Sequence, residues 1–345
     1  MSEPAQNIPS SFFTPEGLVL SDRYSEVMEK TVRPYIDSRR TDETVSCGGC
    51  GIFTSRFTPE GKSRGTVMIV HGFTENTEKY AEIIHSLLRC GWSVLAYDQR
   101  GHGRSWRKPG VTDLSLTHVD RFEDYAEDMR VIADRLLMSM PAPRMLFCHS
   151  MGGAVSAMYL ENNPCPFERA VFSSPMIAPN VGGFPVGAVR ILCRVPVAMG
   201  RGASRAFISH PYSGPERFEG SCASGRERFE WYESLRCAVR EFQNNGPSYA
   251  WALESVNVTK KLLAPGMPEK ILIPVRVYGA EQEGSVVPEA QETFVRRLKN
   301  GVREVVPGSR HEIYRSPDSV LFPWWRGVLA FFAGGEAGVR QADIP

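Results

Sequence analysis

Met145-Leu146-Phe147-Cys148-His149-Ser150-Met151-Gly152-Gly153-Ala154 is the stretch that decides the fold. Its first four residues are apolar without interruption, as in a strand buried on both faces. A helical pattern then begins and runs from Ala154 to Leu160. Between them a serine sits among small residues. Strand, sharp turn and helix with a serine at the turn are the context of a nucleophile elbow, G-x-S-x-G, which lifts the hydroxyl out of the sheet; the alternative is a glycine-rich strand–helix turn with a spectator serine. Gly152 matches the position two after the serine, and Cys148 stands where glycine is usual two before it.

The pattern continues outward on both sides. Val67–Val70, Val94–Tyr97 and Ala170–Phe172 read as further buried strands. Tyr80–Leu88 and Phe122–Leu137 read as helices between them. After a break the alternation resumes with a strand over Ile271–Val275, a helix over Glu289–Leu298, a strand over Val302–Val306 and a helix over Val320–Phe332. Strands alternating with helices imply a mostly parallel, doubly wound α/β sheet with helices on both faces. The break itself, residues 180–265, has no clear strand and is rich in Arg, Gly and aromatic residues. The division expected is therefore an N-terminal extension over 1–43, an α/β core over 44–179 and 266–345, and an inserted cap over 180–265. In the extension a helical stretch runs from Tyr24 to Ile36.

A serine nucleophile needs a base, and the base needs an orienting carboxylate. In folds with this elbow the order along the chain is Ser, acid, His. His311 lies past the final strand and is the only histidine after His210. No Asp occurs between Asp134 and Asp318, so the acid is a glutamate in the loop Gly279-Ala280-Glu281-Gln282-Glu283-Gly284. Glu283 and Glu281 are the candidates, with Glu283 preferred. The developing oxyanion needs preset N–H donors. In folds with this elbow one comes from the residue after the serine, here Met151, and the other from the loop after the first buried strand, which predicts the amide of Phe73 in His71-Gly72-Phe73-Thr74. His71 itself reads as structural.

Composition narrows the classes. Lys+Arg is 40 and Asp+Glu is 39 in 345 residues, for a net charge of +1, without the basic excess of a dedicated nucleic-acid binder. No apolar run is long enough to span a bilayer as a helix, and the start lacks the pattern of a secretory signal. Of the eight cysteines, only Cys47 and Cys50 are at C-x-x-C spacing, with no second pair to complete a zinc site. Reduced thiols and a cytoplasmic location are expected.

Several separate motifs resemble the α/β-hydrolases of the monoacylglycerol lipase and bacterial lysophospholipase L2-like group, also labelled serine aminopeptidase S33-like. They are His71-Gly72-Phe73-Thr74-Glu75-Asn76 with Lys79-Tyr80, Asp98-Gln99-Arg100-Gly101-His102-Gly103-Arg104-Ser105, and His118-Val119-Asp120-Arg121-Phe122. The elbow, Asn245-Gly246-Pro247-Ser248-Tyr249-Ala250-Trp251 and Pro307-Gly308-Ser309-Arg310-His311-Glu312 complete the set. The resemblance implies an α/β-hydrolase fold with a helical cap inserted before the acid strand. It also aligns Glu283 with the catalytic acid, which is aspartate in most of the group.

The function implied is serine hydrolysis of carboxylic esters through an acyl-enzyme on Ser150, with a lysophospholipid or monoacylglycerol as substrate and no cofactor or metal required. The alternatives are an aminopeptidase or small-ester hydrolase of the same fold, or an inactive hydrolase used as a binding module. In the cap, Phe184–Met199 reads as an amphipathic helix with Arg190 and Arg194 on a basic stripe, ended by Pro196. Peripheral membrane contact through this helix is one reading. The other is a cap helix packed on its own core with solvated arginines. The oligomeric state is not assigned.

Overall fold

In the computed structural model residues 10–206 and 209–335 are described. The strands in chain order are β1 (Arg40–Cys47), β2 (Cys50–Phe57), β3 (Thr66–Val70), β4 (Ser93–Tyr97), β5 (Leu116–Thr117), β6 (Arg144–His149), β7 (Arg169–Ser173), β8 (Gly246–Pro247), β9 (Val275–Gln282) and β10 (Gly301–Arg310). The α-helices are α1 (Tyr24–Val27), α2 (Arg33–Asp37), α3 (Ala81–Arg89), α4 (Glu123–Arg135), α5 (Met151–Asn162), α6 (Val186–Ala198), α7 (Arg226–Ala238), α8 (Tyr249–Leu262), α9 (Pro288–Arg297) and α10 (Asp318–Phe332).

Eight strands make one sheet in the order β1-β2-β4-β3-β6-β7-β9-β10. Its pairings are parallel except the two made by β2. The two faces follow from the period-2 alternation of side chains. On β3, Val67 and Ile69 pack with α3 and α10, while Met68 and Val70 pack with α4 and α5. Both faces are covered, which is why β3, β4 and β6 read as unbroken apolar runs rather than alternating ones.

Three readings need correction. The strand expected at Ile271–Val275 begins only at Val275 and runs on to Gln282. Pro274 has no N–H for a ladder, and Leu272 points to solvent. Helix α6 does not stop at Pro196 but continues to Ala198. The inserted segment does hold a strand, the two-residue β8, paired parallel with β5.

The segment before β1 is not a loose appendage. Tyr24, Val27, Met28, Val32 and Ile36 are buried in the same layer as α3 and α10. Cys47 and Cys50 face each other as free thiols across the β1–β2 turn. Gly48 (φ 56°) and Gly49 (φ 84°) form that turn in the left-handed region that favours glycine.

The chain leaves the sheet after β7, builds α6, α7, β8 and α8, and returns at β9. Buried polar tethers tie this insertion to the core, Arg228 and Asn244 among them. Arg228 of α7 is buried and donates to Glu82 at 2.9 Å, Asp318 at 2.8 Å and the Val19 carbonyl at 2.8 Å. Asn244, just before β8, donates to the Gly101 carbonyl at 2.8 Å and Thr117 Oγ1 at 2.9 Å.

Candidate active site

Ser150 sits between β6 and α5 with φ 50° and ψ −118°, a conformation that non-glycine residues rarely adopt. The turn survives because its neighbours have no bulk. A Cβ on Gly152 would lie 2.2 Å from the Val70 carbonyl oxygen, and one on Gly153 would lie 2.5 Å from Pro175. Neither obstacle is a flexible side-chain tip. Cys148 keeps its place in the sheet, paired with Val70 on β3 and Phe172 on β7. It is fully buried in the core, with its Sγ 3.5 Å from the Val171 carbonyl oxygen. Burial pushes its thiol far above the usual range.

The loops beyond three other strands converge on this hydroxyl. His311 follows β10, and its Nε2 lies 2.8 Å from Ser150 Oγ. Its Nδ1 lies 2.9 Å from Glu283 Oε2, in the loop that leaves β9. Glu283 also accepts from the Ser285 N–H at 2.8 Å and the Val286 N–H at 3.3 Å. Burial works to raise the Glu283 carboxyl, but the hydrogen bond and charge of His311 and these two amides outweigh it. The net shift is downward, so the group is held as a carboxylate. This chain of hydroxyl, imidazole and carboxylate can deprotonate the serine and stabilise the imidazolium that forms. Glu281, the alternative acid, is exposed and accepts from the Gly308 N–H at 2.9 Å instead.

The two expected oxyanion donors, Met151 and Phe73, belong to segments that meet at Ser150. Met151 opens α5, where the first N–H groups have no intrahelical acceptor. Phe73 follows Gly72, where a Cβ would lie 3.1 Å from that of Ser150. Only glycine lets the loop pass so close. The Phe73 ring stacks against Trp251 of α8, with centroids 4.0 Å apart, so the insertion touches the loop directly. His71 is structural: its Nδ1–H donates to the Gly72 carbonyl at 2.7 Å, and its Nε2 accepts from the Gln99 N–H at 2.9 Å. Burial lowers its pKa, consistent with the neutral ring that this pattern requires.

Beneath the loop lies a group that sequence reasoning left without a role. Glu75 is buried and accepts from the Gly72 N–H, Tyr80 OH and Tyr314 OH, each at 2.6 Å. Lys79 Nζ lies 3.1 Å from it and 2.6 Å from Glu312. Burial opposes the charge on Glu75, but Lys79 and the other donors hold its carboxyl well below the usual range. Its only sequence signal is its place in the His71–Tyr80 motif. Among the described residues no cluster of His, Cys, Asp and Glu is arranged to hold a metal ion.

Helix α6 does not present Arg190 and Arg194 as one solvated basic stripe. Cys193 is its buried residue, and Arg190 donates to Asn257 of α8 at 2.8 Å. Ile191, Leu192 and Val195 are each more than half exposed, and Phe184 and Met199 flank them, exposed as well. The apolar stripe faces outward, with Arg194 beside it. No helix among the described residues is long and apolar enough to cross a membrane.

Comparison with known proteins agrees with the fold. Lysophospholipase L2 of Escherichia coli K12 is 27% identical over 305 residues, covering 81% of this chain and 84% of that protein. Monoacylglycerol lipase of Mycolicibacterium smegmatis is 29% identical over 153 residues, 44% of this chain and 52% of that one. A soluble variant of monoglyceride lipase from Saccharomyces cerevisiae superposes with a TM-score of 0.66 at 17% identity, over 86% of this chain and 96% of that one. A thermostable carboxyl esterase from Bacillus coagulans gives 0.65 at 20% identity, over 86% and 98%. The profile of the serine aminopeptidase S33 family matches residues 61–318. With an α/β-hydrolase sheet, a strained serine at its elbow and a family profile spanning most of its length, the chain belongs to the serine aminopeptidase S33 family of α/β-hydrolases.

Proposed function

We propose that the protein is a carboxylic ester hydrolase acting on a lysophospholipid or monoacylglycerol through an acyl-enzyme on Ser150. The observation that carries the mechanism is His311 bridging Ser150 Oγ at 2.8 Å and Glu283 at 2.9 Å. His311 takes the serine proton as Ser150 attacks the ester carbonyl. Glu283 holds the imidazolium, and the N–H groups of Phe73 and Met151 receive the oxyanion. His311 then protonates the departing alcohol. Water, activated by the same histidine, releases the fatty acid.

Two features support a lipid with a polar leaving group. A recess of about 80 Å³ beside the oxyanion and histidine loops is lined by Thr74, Lys79, Tyr232, Glu312 and Arg315, among others. The outward apolar stripe of α6 is suited to a membrane surface, where such substrates reside. The relatives named lysophospholipase and monoacylglycerol lipase point to the same chemistry. An aminopeptidase reading draws on Glu216 and Glu233 at that recess as anchors for a substrate amine. Both carboxylates already pair with Arg236, at 2.7 and 3.4 Å, which places the ester reading first.

The test is a chromogenic acyl-ester series by chain length, run beside lysophosphatidylcholine, monoolein and aminoacyl amides. Ser150→Ala should abolish turnover of all esters. Full esterase activity in that variant, or a preference of the native enzyme for the amides, would overturn the reading.

A further inference from the structure

Resting on that reading, we infer that Glu75 is a positioning residue: one buried carboxylate fixes the oxyanion loop to the histidine loop. Its two oxygens collect donors from both. Gly72 N–H, Tyr80 OH and Lys79 Nζ come from the segment that carries Phe73. Tyr314 OH comes from three residues past His311. Lys79 extends the link by pairing with Glu312, the residue next to His311. The two tyrosine rings stack with centroids 4.7 Å apart, and His149, whose ring lies 4.9 Å from that of His311, approaches Glu75 to 3.8 Å.

The geometry leaves the loop little freedom. Gly72 is wedged between Glu75, His149 and Ser150, since a Cβ there would lie 2.9, 3.0 and 3.1 Å from their nearest atoms. Thr74 holds a left-handed φ of 60°, a strained state for a β-branched residue. Such a turn persists only where its surroundings over-determine it, and the bond from the Gly72 N–H to Glu75 pins it on the Phe73 side. Lose that anchor and the Phe73 N–H can drift from the place where the oxyanion forms. The position of Phe73 relative to His311 is therefore set through Glu75.

The role is testable because an amide has the same shape as a carboxylate but offers an NH₂ where Glu75 offers only acceptors. Glu75→Gln should lower kcat roughly 10- to 100-fold with KM within about twofold, below the 10²–10³ cost of deleting an oxyanion donor outright. The inhibition constant of an alkyl trifluoromethyl ketone, which forms a tetrahedral adduct, should rise by the factor that kcat/KM falls. Inhibition by the fatty-acid product should be unchanged. A folded Glu75→Gln enzyme with kcat within twofold of native, or with its loss entirely in KM, overturns the inference. Should that variant not fold, Tyr314→Phe carries the test. It keeps the carboxylate but removes the histidine-loop donor, and an unchanged kcat there overturns the inference equally. Ser150→Ala on the same ester separates the two readings. Activity retained in Ser150→Ala overturns the triad and the role of Glu75 with it, whereas activity lost there but kept in Glu75→Gln overturns only the role of Glu75.

Discussion

Single residues at the elbow carry costs that the sequence pattern only hints at. Gly152 has a backbone carbonyl 2.2 Å from where a Cβ would stand, so Gly152→Ala must displace β3 or α5. Its destabilisation should exceed ~4 kcal/mol, the range of exceptional single substitutions, read as lost soluble yield or a collapsed melting transition. Cys148 should be inert: fully buried with a raised thiol pKa, it should escape maleimide labelling in the folded enzyme, as mass spectrometry would report. Glu161, on α5, has both carboxylate oxygens buried without a partner, and burial raises its pKa to about 8. The native state therefore holds a proton that the unfolded chain releases near pH 4.5. Its contribution is fully present below that value and is lost as pH rises towards 8. Glu161→Gln should flatten the fall in Tm between pH 5 and pH 8. An identical slope in the two proteins would refute the assignment.

At the scale of elements, α6 departs furthest from its reading. Arginines four residues apart implied one basic face, but Arg190 is held by Asn257 and the exposed stripe is Ile191, Leu192 and Val195. Contact with a bilayer should then depend on apolar area more than on charge. Replacing Ile191, Leu192 and Val195 together with Ser should reduce liposome binding severalfold in a flotation assay. Hydrolysis of a soluble short-chain ester should stay within about twofold. Unchanged flotation would remove the membrane role of this helix.

The whole molecule depends on contacts distant in sequence. Arg228 joins α7 to Glu82 on α3, to Asp318 on α10 and to the backbone at Val19. Removing a buried partner of this kind leaves carboxylates unpaired, so Arg228→Met should cost about 3–5 kcal/mol in denaturant unfolding. The segment before β1 belongs to the same assembly. Deleting residues 1–37 would strip Tyr24, Val27, Met28, Val32 and Ile36 from the layer over α3 and α10. That variant should aggregate on expression.

The sequence alone marked β3, β4, β6, β7, β9 and β10 of the central sheet and nominated Ser150, His311 and Glu283 or Glu281 as hydroxyl, imidazole and carboxylate, whereas β1, β2 and the strand order came from the structure. Unbroken apolar runs mark strands buried on both faces, and a serine between such a run and Gly152-Gly153 is a candidate nucleophile that becomes specific only together with a downstream histidine and acid. The absence of aspartate between Asp134 and Asp318 narrowed the acid to Glu281 or Glu283, and the family resemblance singled out Glu283. Strand ends were less legible: β9 was displaced because Ile271 to Ile273 are apolar yet precede a proline. The outward face of α6 and the donors gathered around Glu75 were decided only by tertiary structure. A helical stripe has the same period whether it faces a core or the solvent. A buried carboxylate is likewise defined by donors far away in the chain, here Tyr314, which lies 239 residues from Glu75.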